Sequence, residues 1–329
     1  MKKILHFSFN QDSTCFACGM QSGFSVYNCD PPTERFNRFP KDGEYPTGVK
    51  IITMLFRSNI FAIVGDGTHP KYPPTTLIIW DDFQTNCIAE LEFKQYITGV
   101  RIRRDIIVVG TENNTFIYNF ANLKLLHCYG TCINPNGIIA LCAGSRPIFA
   151  ILGLSRGSVY IEHLNKFSHT ISTHTNHLSA IALNTEGDRI ATTSERGTIV
   201  RLYNTIDGEL VREFRRGLDT ATITSLFFDS EARRLAVCSK KGTMHVYSLL
   251  SSDNTQNRKS SLIYIQDYLP QYFSSEWSAV SFQIPINSVC AFSNNNDTMI
   301  VVTTNGEYFK YAYNIKTGCG ECIEEKQLI

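Results

Sequence analysis

The sequence lacks any apolar run near the roughly 18–20 residues that a membrane-spanning helix needs, so no span is predicted. Its start, MKKILHFSFNQDS, holds two lysines and a short apolar stretch broken by His6. A secretory signal needs about 7–15 apolar residues, and none is expected. Charge of one sign is also missing, with lysine plus arginine at 31 against 30 for aspartate plus glutamate. No global field then draws the chain to nucleic acid or to an anionic bilayer, and anion recognition must be local. Neither H-E-x-x-H nor G-x-x-x-x-G-K-[ST] occurs, and the chain is expected not to be an enzyme.

What is present suits a soluble globular protein, with 43% hydrophobic and 19% charged residues. Eleven cysteines, an odd number, are scattered through apolar runs without a framework. In a reducing compartment most of them read as small buried apolar residues. Two C-x-x-C pairs occur, Cys15/Cys18 and Cys319/Cys322. The first lies in TCFACGM, a predicted strand, where an i,i+3 pair faces opposite ways and is poorly placed to share a metal. No metal and no cofactor are expected.

The strongest pattern is a repeat. A small or polar turn, an alternating apolar strand and usually an aromatic recur as SGFSVYN (Tyr27), TTLIIWDD (Trp80), NNTFIYNF (Tyr118), RGSVYIEHL (His163), RGTIVRLYN (Tyr203), KGTMHVYSL (Tyr247) and NGEYFKYAY (Tyr311). The spacings are 53, 38, 45, 40, 44 and 64 residues, and most match the roughly 40–45 residues of a four-stranded propeller blade. The chain is therefore expected to be all-β, a seven-bladed β-propeller with four-stranded blades like those of WD repeats, spanning 1–329 as one domain. The two long spacings hold a proline-rich loop, GDGTHPKYPPTT, and about twenty extra residues at 251–277.

Within this frame GELVREFRRG is expected to be the outer strand of the fifth blade, so that Arg215 faces that blade and Arg216 the sixth. Gly217 would free the backbone at the following turn. TTSERGTIVRLY offers Ser194, Gly197, Thr198 and Arg201, and VCSKKGTMHVY offers Ser239, Thr243 and His245, with His177 nearby. Hydroxyls and arginines around a concavity are the ingredients of a phosphate site. Serines and Gly-Thr turns are also ordinary in blades, and an arginine on an outer strand can simply block edge pairing.

At these residues the sequence resembles the PROPPIN family, the WIPI group of animals, and in particular its shorter subgroup. The resemblance rests on Phe214-Arg215-Arg216-Gly217, on FNQDSTCFACGMQSGFSVYN, KYPPTTLIIWDD, IALNTEGDRIATTSERGTIVRLYNT and LPQYFSSEWSAVSFQIP, and it covers essentially the whole chain. Thr192 stands where many relatives have serine, and Phe214 replaces a common leucine. The resemblance implies binding of phosphatidylinositol 3-phosphate and phosphatidylinositol 3,5-bisphosphate at two rim sites. The first would use His177, Ser194, Gly197, Thr198, Arg201 and Arg215. The second would use Arg216, Gly217, Ser239, Thr243 and His245.

It also implies a loop that enters the bilayer, here Leu262, Ile263, Tyr264 and Ile265 within 251–277. The implied role is a peripheral membrane adaptor in autophagy, cytoplasmic and recruited to preautophagosomal, endosomal or vacuolar/lysosomal membranes. It would act as a monomer that recruits the autophagic lipid-transfer protein. Asn10, Asp12, Lys71 and Pro73 would form the partner face, although Asp12 could equally shape a turn and KYPP a loop. A WD-repeat-type protein scaffold without lipid binding is the alternative. It leaves the duplicated Ser…Gly-Thr pattern around two arginines without a purpose.

Overall fold

The computed structural model describes residues 3–39, 48–250, 257 and 275–329. Among these there are twenty-nine strands and no helix. They form seven sheets, antiparallel and in chain order except for one two-residue strand, which pairs parallel with the outer strand of blade five. Blade one is β1 (Ile4–Phe9), β2 (Cys15–Met20), β3 (Gly23–Asn28) and β4 (Thr33–Arg38). Blade two is β5 (Val49–Met54), β6 (Ile60–Gly65), β7 (Thr76–Asp81) and β8 (Asn86–Glu92). Blade three is β9 (Ile97–Ile102), β10 (Ile106–Thr111), β11 (Asn114–Asn119) and β12 (Leu125–Gly130). Blade four is β13 (Ile139–Leu141), β14 (Ile148–Leu152), β15 (Ser158–His163) and β16 (Phe167–Ser172). Blade five is β17 (Leu178–Leu183), β18 (Arg189–Ser194), β19 (Ile199–Asn204) and β20 (Leu210–Arg215).

After β21 (Ile223–Phe228), β22 (Arg234–Ser239) and β23 (Thr243–Ser248), the next strand is out of place. β24 (Glu276–Trp277) lies against β20 of blade five before β25 (Val280–Gln283) completes blade six. Blade seven is β26 (Ser288–Phe292), β27 (Thr298–Thr303), β28 (Glu307–Asn314) and β29 (Cys319–Gln327).

The seven repeat units are the third strands of the seven blades, as their period predicts. Second strands such as CFACGM and IIVVGT are buried at every position, and IFAIVG at every position after Ile60. Outer strands such as β4 and β12 are largely exposed. A strand sandwiched between neighbouring blades reads as a continuous apolar run, whereas an outer strand needs little apolar content. Cys15 and Cys18 lie on β2 and pack into separate apolar clusters on its two sides, as their spacing requires.

The repeat aromatic has a specific task. The hydroxyl of Tyr203 donates to the Thr173 carbonyl at 3.2 Å, that of Tyr247 to Arg215 at 3.1 Å, and that of Tyr27 to Leu328 at 3.4 Å. Each acceptor lies at or just beyond the end of the preceding blade's outer strand, counting blade seven as the predecessor of blade one. A buried phenol thus joins neighbouring blades and satisfies a carbonyl that has run out of ladder.

An up-and-down blade places its second turn and its exit loop on one face, and its first and third turns on the other. By this rule the Ser194–Thr198 turn, the Arg215–Gly217 exit, the Ser239–Thr243 turn and the 66–75 loop share one face. The Asn10–Thr14 turn lies on the opposite face, about 20 Å away for a six-residue strand.

Candidate functional site

β20 carries the arginine pair, and strand alternation divides its side chains. Phe214 is fully buried and packs on Tyr247 of blade six, with ring centroids 4.9 Å apart. Its neighbours in sequence point the other way. Glu213 reaches Arg201, carboxylate oxygen to Nε, at 2.9 Å. Arg201 also donates to the Thr173 carbonyl at the end of blade four. Arg215 is 2% exposed, has Ile199 as its ladder partner on one side and Trp277 on the other, and gives its carbonyl to Tyr247.

Arg216 follows alternation back towards blade six. Its N–H donates to the Thr198 carbonyl at 2.9 Å, and its Nε donates to the Gly197 carbonyl at 2.6 Å. A second guanidinium N–H donates to the Asp219 carbonyl. Among the described residues no carboxylate pairs with it. His245 lies beside it, with Nδ1 3.1 Å from Ser278 Oγ. Burial first, and the Arg216 charge second, hold the His245 pKa down at about 4, so this imidazole is neutral at pH 7. Ser239 and Thr243 share one hydrogen bond between their hydroxyls at 2.7 Å across the blade-six turn.

In the second turn of blade five Ser194 ends β18, and the Gly197 N–H caps the turn at the Ser194 carbonyl. Gly197 has φ +59°, and a Cβ there would lie 1.9 Å from the Ala221 carbonyl oxygen. Only glycine fits this position. Thr198 is half-buried beside it. His177 is also half-buried, and its carbonyl accepts from the Glu195 N–H. The histidine that sits at the charged centre is His174, which the sequence did not single out. Its Nε2 is 3.0 Å from Thr192 Oγ1, and burial together with Arg201 holds its pKa at about 4.

The structure therefore brings Glu213 and Arg201 together on one side of β20, with Arg201 acting on His174, and Arg216 with His245 on the other. Lys240 and Lys241, also passed over in the sequence, are exposed on the blade-six turn. With Glu195, Thr220, Ala221 and Thr222 they line a depression of about 310 Å³ between the two turns. Their signal was the double lysine of SKKG, read at first only for its serine.

Several expectations change. Gly217 makes no use of glycine's freedom: its φ is not positive, and a Cβ would meet nothing within 4 Å. Asn10 is 4% exposed, and its side chain is spent on Thr14 and Cys15 of its own turn and on the Phe56 carbonyl of blade two. Asp12 is exposed but accepts from the N–H and hydroxyl of Thr14, as a turn residue does. Lys71 is exposed and Pro73 half-buried, on the opposite face. The four residues therefore do not make one partner surface. Leu262, Ile263, Tyr264 and Ile265 lie outside the described residues.

One catalytic spacing does occur. GLSRG, residues 153–157, has the G-x-S-x-G order, but it links β14 to β15, and a nucleophile elbow needs a strand followed by a helix.

The PROPPIN family model matches residues 3–286. Autophagy-related protein 18e of Arabidopsis thaliana is 32% identical over 98% of this chain and 86% of its own length. SVP1-like protein 2 of Pichia angusta is 34% identical over 94% of this chain and 90% of its own. Kluyveromyces lactis Hsv2 superposes with a TM-score of 0.81 at 22% identity over the full length of both chains. A solved complex of KlAtg21 with the coiled-coil of AgAtg16 gives a TM-score of 0.80 at 23% identity. With a family match over most of its length, two relatives above 30% identity and the seven blades in place, this chain belongs to the PROPPIN family.

Proposed function

We propose that the protein is a non-enzymatic, phosphoinositide-binding adaptor of autophagy, recruited from the cytoplasm to the membrane surface. The observation that carries this reading is the division of Arg215 and Arg216 to the two sides of the chain at the buried end of one outer strand. Each side also carries a neutral, half-buried histidine and hydroxyls on the same face of the propeller. A phosphate monoester offers acceptors that match guanidinium donors, and a site already lined with neutral imidazole can add a proton as the anion arrives. Two head groups on one rim raise the effective concentration for each other, so weak single contacts suffice. The ligands would be phosphatidylinositol 3-phosphate and 3,5-bisphosphate.

Membership of the family and the autophagy-related names of its relatives support this assignment. The autophagic lipid-transfer protein is the proposed partner, docking on blades one to three. The Atg21 complex supports protein recruitment by a propeller of this shape.

Co-sedimentation with phosphatidylcholine vesicles, with and without phosphatidylinositol 3-phosphate, tests the reading. Wild type should pellet with the lipid-containing vesicles, and the folded double variant Arg215→Thr/Arg216→Thr should stay in solution, a loss of about 100-fold or more. Equal binding by both, or none by wild type, would leave the protein-scaffold reading in its place.

A further inference from the structure

The first strand of each blade turns its free edge to the central channel, where backbone N–H and C=O groups have no further strand to pair with. Several blades answer the next blade's edge with a side chain. From blade one, the Ser8 hydroxyl donates to the Ile52 carbonyl at 2.6 Å, and His6 Nδ1 accepts the Ile52 N–H at 3.3 Å. From blade two, the Thr53 hydroxyl donates to the Val100 carbonyl at 3.3 Å. From blade six, the Ser225 hydroxyl accepts the Cys290 N–H at 3.3 Å. Ser8 and Thr53 each stand one residue before the end of a first strand, on β1 and β5.

Blade three has Arg101 at that position of β9. Its guanidinium donates to the Val100 carbonyl at 2.9 Å, a group that Thr53 already caps, and among the described residues it has no ion pair. A long cationic side chain is more than capping needs. Arg101 lines a cavity of about 440 Å³ at the channel mouth, on the face of the first turns and opposite the Arg215–Gly217 exit. That volume lies within the roughly 300–1,000 Å³ of small-molecule sites. Phe56, Leu183, Phe228 and Phe292 give the cavity an apolar wall.

Arg101 is exposed to this space yet enclosed by the blades around it, and desolvation alone moves its pKa, downwards. The two acids along the cavity do not offset that effect. Asp12 is held by the N–H and hydroxyl of Thr14, and Asp229 by the N–H groups of Arg233 and Arg234. His6 adds a second donor deeper in the channel. Burial first, and the Arg101 charge second, keep its ring neutral at pH 7. With Nδ1 accepting from Ile52, the proton sits on Nε2, for which the described residues supply no acceptor.

We propose that the channel mouth binds a small organic phosphate, with its oxyanion on Arg101 and His6 and its body on the apolar wall. A guanidinium and an imidazole N–H match the three acceptor oxygens of a phosphate monoester better than the two of a carboxylate. The same group occurs on lipid head groups, but a bilayer cannot follow it into the channel.

Phenyl phosphate is the probe, and the background is Arg215→Thr/Arg216→Thr, which silences the rim. Calorimetry should show one site, weakened tenfold or more by Arg101→Gln and a few-fold by Arg101→Lys. Inorganic phosphate should bind at least tenfold more weakly than the ester, because it leaves the apolar wall unused. With the rim arginines intact, Arg101→Gln should pellet with phosphatidylinositol 3-phosphate vesicles as wild type does. No saturable heat, equal affinity in Arg101→Gln, equal affinity for inorganic phosphate, or loss of vesicle binding by a folded Arg101→Gln would each overturn the site. Should Arg101→Gln fail to fold, the Arg101 Nε–H resonance of the wild type, assigned by its absence from Arg101→Lys, decides. A shift on adding phenyl phosphate supports the site, and an unmoved resonance overturns it.

Discussion

Where blade seven meets blade one, the rim is closed by opposite charges and spent carbonyls. Lys310 Nζ reaches Asp30 at 2.6 Å, Lys326 Nζ reaches the Pro32 carbonyl at 2.8 Å, and the Tyr308 hydroxyl reaches the Cys29 carbonyl at 2.8 Å. Among the described residues no strand is exchanged between the first and last blades, and these contacts and the apolar cluster beneath them close the ring. Where blade five meets blade six, the lower layer is again aromatic: Phe214 of blade five lies on Tyr247 of blade six, whereas at the closing seam Phe16 and Tyr27, both of blade one, pack in one apolar cluster with Tyr308 of blade seven. The rim differs. Arg216 meets carbonyls and a neutral histidine, and no described carboxylate pairs with it. One seam pairs Lys310 with a carboxylate, and the other leaves Arg216 with carbonyls and no described carboxylate.

Removing the shared layer should have the largest effect and separate the two seams. Phe16→Ala and Phe214→Ala each delete a ring that is at most 1% exposed, and each should cost about 3–5 kcal/mol of stability. Chemical denaturation should show similar losses for both. Under conditions where both variants remain folded, only Phe214→Ala should also lose vesicle binding, because the strand under the arginine pair loses its anchor. Equal retention of binding would mean that the blade-five seam is no more tied to the ligand than the closing seam.

The shared layer was legible in the sequence because it is repeated. Tyr27, Tyr203 and Tyr247 make the same bond from the same strand position, so the residue type returns with the blade period. The arginine pair was legible because alternation on a strand needs only local knowledge. The attachment of β24 to β20 was not, since Arg212 and its partner Glu276 are 64 residues apart and Glu276 pairs with a blade other than the one its chain completes. His177 was chosen over His174 because a loop has no periodicity to say which of two nearby histidines turns inward. Asp12 and Lys71 were joined by sequence flavour alone, and only the course of the strands shows that they stand on opposite faces.

A smaller effect distinguishes the seams by pH. His245 has a folded pKa of about 4 against an ordinary 6.5, so the unfolded chain takes up the proton first. Its contribution to stability is complete above pH 6.5 and is lost as pH falls towards 4. A phosphate beside Arg216 favours the imidazolium and raises this pKa, with each unit worth about tenfold in affinity. Vesicle binding should therefore strengthen as pH falls through the raised, bound-state pKa towards 4, and His245→Gln should flatten that rise. It should also reduce the acid sensitivity of folding, leaving the shares of His6 and His174, whose pKa values are also about 4. The contacts quoted for the blade seven to one seam include no histidine, so Lys310→Met should leave the pH profile of binding unchanged. A rise of equal slope in His245→Gln would take this residue out of the ligand's reach.

The smallest effect is expected at Gly217. Because a methyl group there meets nothing within 4 Å and the backbone is not left-handed, Gly217→Ala should shift the melting temperature by no more than a degree or two. Gly197→Ala is its control. A Cβ at that position collides with the Ala221 carbonyl at 1.9 Å, so it should destabilise the turn that receives Arg216. If Gly217→Ala folds normally and still binds vesicles less well, the empty space beside Gly217 is occupied when lipid is bound, and the glycine serves the ligand. If it binds as wild type does, the residue only follows the arginines in sequence, and the site ends at Arg216.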